Sequence, residues 1–361
     1  MRQRGRWMLA TAISLLVLAG CTAAPPPIES ATDSGPQTLA EDLDAPWSVV
    51  PLLDGPGDPG ALISQRDDGA VLELTPTGTL REVGIVPGVV SGGESGLHGL
   101  ALWEGEDGIR WLYAYHGAAA DNRVVRMPLT GEPGALSLDL EAREVVFSGI
   151  PRAGHHDGGR IGFGPDGMLY VATGDAGRPN VARDPDELGG KILRLTPEGE
   201  PAPENPFGTA VYSIGHRNVQ GLAWDDDGTL WASEFGQNTW DELNRIEAGG
   251  DYGWPDYEGM ADAEGVIDPV TVWRPGDASP SGIAALDGVV YVAGLRGERL
   301  WMVDPEDDPE GRAAFTGEFG RLRDVVAGPQ GTLWILTNNT DGRGAPRDGD
   351  DRLVQLTLPE D

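Results

Sequence analysis

The chain has few of the residues on which several protein classes depend. Its 361 residues include one cysteine and five histidines, which excludes internal disulfides, paired-cysteine redox sites, covalent haem attachment and cysteine-rich zinc sites. The 26 basic residues are outnumbered by 58 acidic residues, and the formal charge is −32. A charge of this sign and size disfavours nucleic acid or an anionic membrane surface as a partner.

Patterns of long helices are also missing. No stretch keeps a sustained apolar period of 3.6 residues, and the 54 glycines and 29 prolines favour a chain rich in turns. Apolar residues still make up 39% of the chain, with 11 tryptophans, which is enough for a sizeable core. The sequence therefore predicts a folded all-β protein.

The N-terminus contains an apolar run with a specific flanking pattern. Three arginines precede Met8–Leu18, which is too short to span a bilayer comfortably and is typical of a secretory signal. The next residues, ending in Cys21, resemble a bacterial lipobox, in which the cysteine is lipidated. We expect a signal peptide over 1–20, a Pro-rich tether over 21–40, and an extracytoplasmic protein held at the cell membrane only by its lipid. Ordinary secretion is the alternative.

A short strand followed by a second short strand recurs six times. The first strands read ALISQ, WLYAYH, MLYVATG, TLWASEFG, VVYVAG and TLWILTN, and equivalent positions lie 43 to 61 residues apart. Repeats of this length built only from strands predict a six-bladed β-propeller over 41–361, because blades packed in a ring bury each other's faces. A pair of β-sandwiches is the alternative, although no linker is visible.

Loops between the repeats carry polar clusters, and in a propeller such loops meet at one mouth of the channel. In the segment 154–160, His155 and His156 are adjacent, so an extended backbone would point them to opposite faces and disfavour a shared metal ion. One histidine acting as a general base is the functional interpretation. A structural histidine is the alternative.

Arginines form the second kind of cluster. Arg217 and Asn218 offer a fixed cation and a neutral amide, suited to an oxyanion or a carboxylate. Strand alternation places Arg321 and Arg323 on one face, where with Arg296 they could hold a polyanionic ligand. Structural networks and surface ion pairs are the alternatives.

Two further segments, 233–242 and 249–255, combine carboxylates, glycine turns and available carbonyl groups. Oxygen ligands of this kind suit Ca²⁺, although neither segment matches an EF-hand loop. A solvated acidic loop is the alternative.

Six motifs together resemble one family. HHDGGR, GHRN-x-QG, SEFG-x-N-x-x-DE, GGDYGWP, LRG and RLRD occur in the order found in soluble PQQ-dependent aldose sugar dehydrogenases, the group of soluble quinoprotein glucose dehydrogenases and sorbosone dehydrogenase-like proteins. The resemblance runs from about Trp47 to Leu358. It implies a six-bladed propeller that binds pyrroloquinoline quinone (PQQ) and Ca²⁺ at the channel mouth. It also implies oxidation of aldoses at C1 to lactones, with electrons passed to an external quinone or cytochrome.

The resemblance further implies roles by motif position. His156 is the implied base, and Arg217 is its implied catalytic partner. The implied cofactor contacts are Glu94, Asn180, Arg217, Asn218, Arg296, Arg321 and Arg323. The main-chain carbonyls of Gly236 and Gln237 are the implied ligands of the cofactor's Ca²⁺, and Glu242 and Tyr252 belong to a second, structural Ca²⁺ site.

The sequence also departs from the glucose dehydrogenases of this family. Arg296 replaces a lysine, Gln237 a proline, Glu94 a glutamine and His155 an aspartate. The insertions that supply sugar contacts and a dimer interface are not evident, and 255–282 is short, so we expect a monomer and leave the sugar undefined. A non-catalytic binding propeller and a Ca²⁺-dependent propeller lactonase are the alternative functions.

Overall fold

The structure, a computed structural model, describes residues 35–53 and 60–357. The predicted signal peptide, Cys21 and most of the predicted tether lie outside the described residues, so these remain predictions. The described residues form 25 β-strands and two short 3-10 turns, Pro179–Val181 and Pro329–Gly331. Neither turn is long or apolar enough to cross a membrane.

The strands pair into six antiparallel sheets, one for each blade. Blade 1 contains β2 Pro46–Leu52, β3 Gly60–Gln65, β4 Ala70–Leu74 and β5 Leu80–Ile85. Blade 2 contains β6 Leu97–Glu104, β7 Arg110–Gly117, β8 Asn122–Thr130 and β10 Glu144–Ile150, with β9 Ser137–Leu138 paired to β8. Blade 3 contains β11 Ile161–Phe163, β12 Leu169–Ala172, β13 Ile192–Leu195 and β14 Val211–Ser213.

The remaining blades follow the same order. Blade 4 contains β15 Val219–Trp224, β16 Leu230–Glu234, β17 Asp241–Ile246 and β18 Thr271–Trp273. Blade 5 contains β19 Pro280–Leu286, β20 Val289–Gly294, β21 Arg299–Asp304 and β22 Asp308–Ala314. Blade 6 contains β23 Leu322–Ala327, β24 Leu333–Thr337, β25 Leu353–Leu356 and, from the other end of the chain, β1 Gln37–Ala40.

Strand β1 closes the ring and corrects one boundary. It pairs antiparallel with β25, with Gln37 opposite Gln355 and Thr38 opposite Val354. The predicted tether was extended to residue 40, but residues 37–40 are part of the propeller because they supply the outer strand that blade 6 lacks. The prediction of a six-bladed propeller is confirmed.

Apolar packing accounts for the ring. The six hydrophobic clusters of the described residues each join two neighbouring blades, and the cluster of Leu43, Ile63 and Trp334 joins blade 1 to blade 6. Second strands such as β3 and β24 are buried along their whole length because both of their faces meet another blade. Apolar burial between blades therefore stabilises a closed ring.

The predicted strand pairs are the second and third strands of each blade. Turns such as Asp166–Gly167 precede them, and Gly167 adopts a φ of +74°, a conformation that glycine enters without steric cost. In an antiparallel blade, the loop after the second strand and the loop after the fourth strand emerge at the same end. All the predicted site residues of the described chain except Tyr252 lie in or beside such loops, so they share one face of the propeller, which we call the mouth. Tyr252 lies in the long loop between β17 and β18, after the third strand of blade 4.

Candidate active site at the mouth of the channel

His156 lies in the loop between β10 and β11 and is held from two directions. Its ring Nδ1 is 2.8 Å from Asp175 Oδ1, and its backbone N–H donates to Glu94 Oε2 at 2.7 Å. The Nδ1–H donates to the carboxylate, which leaves Nε2 with a free lone pair. The side chain is 16% exposed, so Nε2 can meet a ligand at the mouth.

The backbone at His156 corrects the expected geometry of the histidine pair. His156 adopts a φ of +59°, so the segment is bent rather than extended. The rings of His155 and His156 consequently touch edge to face, with centroids 4.4 Å apart, instead of pointing to opposite faces. Asp175 still binds only His156 of the two, so the single-base interpretation fits this geometry.

Asp175, which the sequence analysis did not single out, anchors this base. It is buried, and it accepts hydrogen bonds from the backbone of Gly177 at 2.7 Å and the indole of Trp254 at 2.9 Å. Burial alone would raise the pKa of Asp175, but the bonds from His156, Gly177 and Trp254 outweigh it and lower that pKa. The carboxylate thus stays ionised beside the imidazole and fixes its orientation.

A close backbone approach brings His156 to Asn218. A Cβ on Gly174 would lie 1.9 Å from the carbonyl oxygen of His156 and 2.9 Å from Asn218 Oδ1, so only glycine fits between them. Asn218 Oδ1 also accepts the backbone N–H of Gly158 at 3.0 Å. The loops of blades 3 and 4 therefore meet here.

Arg217 and Asn218 carry unpartnered donors. Arg217 Nη1 donates to the carbonyl of Phe235 at 3.0 Å and its guanidinium lies over the Trp254 ring, 5.4 Å from the centroid. Arg217 Nε and Asn218 Nδ2 are both buried without a hydrogen-bond partner. Because buried donors nearly always have a partner, two adjacent orphans indicate that a ligand's acceptor atoms complete them.

A buried relay holds the backbone of this pair. Glu234 Oε1 accepts the backbone N–H groups of Arg217 and Asn218, and Glu234 Oε2 is 2.9 Å from His216 Nδ1. His216 Nε2 in turn lies 2.8 Å from Ser213 Oγ. All of these side chains are buried away from the mouth, so the relay orients the pair rather than meeting a ligand.

The two arginines of blade 6 differ from the expectation. They do share a face, since both lie within 4 Å of Asp341: Arg321 at 2.9 Å and Arg323 at 3.9 Å. Arg323, however, has every nitrogen bonded, to Asn338 Oδ1, Gln220 Oε1 and Ser281 Oγ, and burial lowers its pKa to about 9. Four of the five N–H groups of Arg323 are therefore engaged within the protein, and its role as a cofactor contact stays a prediction.

Arg323 belongs instead to a layer that we call the channel floor. It consists of one buried residue at the start of each inner strand: Trp47, His98, Arg160, Gln220, Ser281 and Arg323. Trp47 stacks on His98 with centroids 4.9 Å apart, and Arg160 donates from Nε to the Gln220 carbonyl at 2.9 Å. These contacts join neighbouring blades beneath the mouth.

The other implied cofactor contacts lie at the rim. Arg296 is exposed in the loop between β20 and β21, and Asn180 is exposed in the turn Pro179–Val181. Glu94 is already engaged, since its Oε2 binds the backbone of His156 and its Oε1 lies 3.3 Å from Nη2 of Arg343. Arg343 is a further cation that the sequence analysis missed.

The implied Ca²⁺ ligands lie beside Arg217, in the loop between β16 and β17. The backbone N–H of Gly236 donates to Asp241 Oδ1 at 2.9 Å, and four following N–H groups converge on Glu258 Oε1. Neither the Gly236 nor the Gln237 carbonyl accepts a hydrogen bond from any residue that the structure describes. Both carbonyls are therefore available as ligands for a hard cation.

The second implied Ca²⁺ site has one free oxygen. Glu242 is buried and accepts from the backbone of Gly259 at 2.7 Å and from Asn244 Nδ2 at 3.1 Å, while Asn244 Oδ1 has no partner. Burial and the nearby Glu234 raise the pKa of Glu242 to about 8. The Tyr252 hydroxyl binds the backbone of Arg245 and Glu247, which leaves its carbonyl as the ligand that Tyr252 could offer.

Across residues 35–53 and 60–357, no group of three or more His, Cys, Asp or Glu side chains could hold a metal ion.

Comparison with known proteins gives a consistent result. The family described as glucose/sorbosone dehydrogenase matches residues 43–346. The structure is similar to the PQQ-bound form of an aldose sugar dehydrogenase from Streptomyces coelicolor, with 48% identity and a TM-score of 0.83 over 89% of this chain and 96% of that one.

Two curated proteins are also similar. The aldose sugar dehydrogenase YliI of Escherichia coli is 29% identical over 85% of this chain and 90% of its own length. The quinoprotein glucose dehydrogenase B of Acinetobacter calcoaceticus is 32% identical over 63% of this chain and 54% of its own length. The matched region contains every motif on which the resemblance was based.

Proposed function

The chain belongs to the glucose/sorbosone dehydrogenase family, and from that membership we propose that it is a PQQ- and Ca²⁺-dependent enzyme that oxidises aldoses at C1 to lactones. The observation that carries the proposal is the meeting of a histidine base with two unpartnered donors at one mouth. The PQQ-bound relative from S. coelicolor supports the identity of the cofactor.

The donors at the mouth fit PQQ. The cofactor carries an ortho-quinone and three carboxylates, and is therefore rich in hydrogen-bond acceptors. Arg217 Nε and Asn218 Nδ2 are buried donors that need acceptors, and Arg296 and Arg321 provide positive charge on the same face. Arg217, Asn218, Arg296 and Arg321 are the residues that would hold the cofactor.

The base acts on the sugar. When bound, PQQ supplies a quinone that accepts hydride from C1 of the aldose. His156 Nε2 takes the proton of the anomeric hydroxyl, since Nδ1 already donates to Asp175. Removing that proton raises electron density at C1, which favours loss of hydride and formation of the lactone carbonyl. A positioned general base of this kind contributes about 10²–10⁴-fold to the rate.

The fixed cation serves the other end of the site. Arg217 lies over Trp254 and is bonded to the Phe235 carbonyl, so its charge is held in place before any ligand arrives. A preorganised cation stabilises the negative charge that accompanies hydride. The carbonyls of Gly236 and Gln237 would hold the cofactor's Ca²⁺ nearby, and Glu242 with Asn244 Oδ1 would hold a structural Ca²⁺.

Reconstitution tests the proposed activity. We would strip the mature domain with chelator, add PQQ and Ca²⁺ separately and together, and follow reduction of an artificial dye with a panel of aldoses. We expect sugar-dependent reduction only with both additions. Cofactor binding without turnover on any aldose would contradict the substrate class, and failure to bind PQQ would favour a binding propeller. Hydrolysis of lactones under the same conditions would favour the lactonase.

We also propose that the enzyme is extracytoplasmic, tethered by lipid at Cys21, and passes electrons to an external acceptor as a monomer. The sequence of the N-terminal segment supports this extracytoplasmic location. Cys21→Ser should move the protein from the membrane fraction to the soluble fraction. An unchanged membrane fraction would contradict a lipid anchor at this residue.

A further inference from the structure

Glu258 gathers four consecutive backbone N–H groups on one carboxylate oxygen. Its Oε1 accepts from Gln237 at 2.6 Å, Asn238 at 2.9 Å, Thr239 at 2.8 Å and Trp240 at 3.2 Å. Four N–H donors on one oxygen are the surroundings of an ionised carboxylate, which only accepts hydrogen bonds. The loop between β16 and β17 is thus folded around a negative charge from another loop.

This arrangement fixes where the carbonyl groups point. In a planar trans peptide, the N–H of one residue and the C=O of the residue before it point in opposite directions. Because the N–H groups of Gln237 and Asn238 point toward Glu258, the carbonyls of Gly236 and Gln237 point away from it. Neither of these carbonyls accepts a hydrogen bond from a described residue.

We propose that Glu258 is a positioning residue for the cofactor's Ca²⁺, which orients the Gly236 and Gln237 carbonyls toward the cation. The inference rests on the proposed Ca²⁺ dependence. The charge-assisted bonds also polarise the peptide groups, which makes their carbonyl oxygens better ligands.

Gly259, the residue after Glu258, is bonded to the second implied Ca²⁺ site. Gly259 donates its backbone N–H to Glu242 Oε1 at 2.7 Å. A Cβ on Gly259 would lie 2.5 Å from Trp240 Cδ1, so this pair of loops packs closely. Residues 258 and 259 therefore link both implied Ca²⁺ positions through two adjacent hydrogen-bonded groups.

The test measures Ca²⁺ affinity directly rather than turnover. Calorimetric titration with Ca²⁺, with and without PQQ, compares the wild-type mature protein with Glu258→Ala, Glu258→Gln and Glu264→Gln. Glu264 is an exposed carboxylate a few residues away and serves as the matched control. The cation whose affinity rises when PQQ is added is the one beside the cofactor.

We expect Glu258→Ala to weaken the PQQ-linked Ca²⁺ binding by about 10–100-fold, the usual cost of losing a group that orients a metal ligand. Glu258→Gln, which keeps one acceptor but no charge, should lose less, and Glu264→Gln should leave the affinity unchanged. Equal Ca²⁺ affinity in wild type and both Glu258 variants would overturn the inference about Glu258 and leave the proposed Ca²⁺ dependence in place. Absence of PQQ-linked Ca²⁺ binding in wild type would overturn it together with the proposed Ca²⁺ dependence.

Discussion

The mouth and the channel floor use the same residue type in opposite ways. At the floor, Arg160 donates to Asp324 at 2.8 Å, to the Gln220 carbonyl and to Ser48, which leaves only its Nη2 without a partner, and Arg323 has a bond from each of its nitrogens. At the mouth, Arg217 has one hydrogen bond from its side chain and a buried Nε without a partner. The number of bonds to other protein groups, three from Arg160 and one from Arg217, separates the arginine that stabilises the fold from the one that awaits a ligand.

The largest effect is expected from removing the base at the mouth. His156→Ala should lower kcat by about 10²–10⁴-fold, because the proton of the anomeric hydroxyl loses its acceptor. PQQ affinity and the melting temperature should stay close to wild type. Steady-state kinetics with an absorbance titration of PQQ checks both parts. Turnover near the wild-type rate would show that another group is the base.

The next effect concerns stability and the floor. Arg160→Met should lower the free energy of unfolding by about 3–5 kcal/mol, because it leaves Asp324 buried without its cation. Urea unfolding measures the loss. The double variant Arg160→Met with Asp324→Asn is the control, and it should recover part of the stability. If Arg160→Met were as stable as wild type, Arg160 would not stabilise the fold, and the distinction between the floor and mouth arginines would be wrong.

The same substitution at the mouth should give the opposite pattern. Arg217→Met should weaken PQQ binding by about 10–100-fold, equivalent to about 1.4–2.8 kcal/mol. Its unfolding free energy should change little, since the Arg217 side chain makes one hydrogen bond and burial already lowers its pKa. If Arg217→Met destabilised the fold as much as Arg160→Met, the comparison would fail.

The smallest effect is a pH dependence at the mouth. The pKa of Asp175 is lowered from its ordinary value of 3.8, so the folded state favours the ionised carboxylate. Its contribution to stability is therefore present above pH 3.8 and is lost as the pH falls through the lowered pKa. Acid titration of unfolding should show a stability gap between wild type and Asp175→Asn that narrows below that pH. A gap that widens there would contradict the assignment.

The sequence predicted the frame of the molecule well. The second and third strands of every blade were found because they are apolar on faces that neighbouring blades cover. Outer strands such as β22, Asp308–Ala314, were missed because they are polar and half-exposed. Strand β1 was assigned to the tether since nothing local shows that it pairs with the far end of the chain.

The site was predicted only in part. Motifs located His156, Arg217 and Asn218, and the structure brings the three together. Asp175 did have a signal in the sequence. It is an acidic residue directly after the second-strand pattern 168–174 of blade 3, and second strands end at the mouth. Glu258 and Arg323 had no such signal in the sequence. Glu258 acts through hydrogen bonds to the backbone of another loop, and Arg323 donates to Gln220 of another blade.

Reduction of the bound cofactor by sugar tests the central claim most directly. The mature protein would be loaded with PQQ and Ca²⁺, freed of excess cofactor, and mixed with aldose without any electron acceptor while the cofactor's absorbance is followed. We predict that sugar converts bound PQQ to its reduced form in a single turnover in wild type, and that His156→Ala binds PQQ but shows no such change. A wild-type protein that holds PQQ and Ca²⁺ yet is not reduced by any aldose would contradict the account.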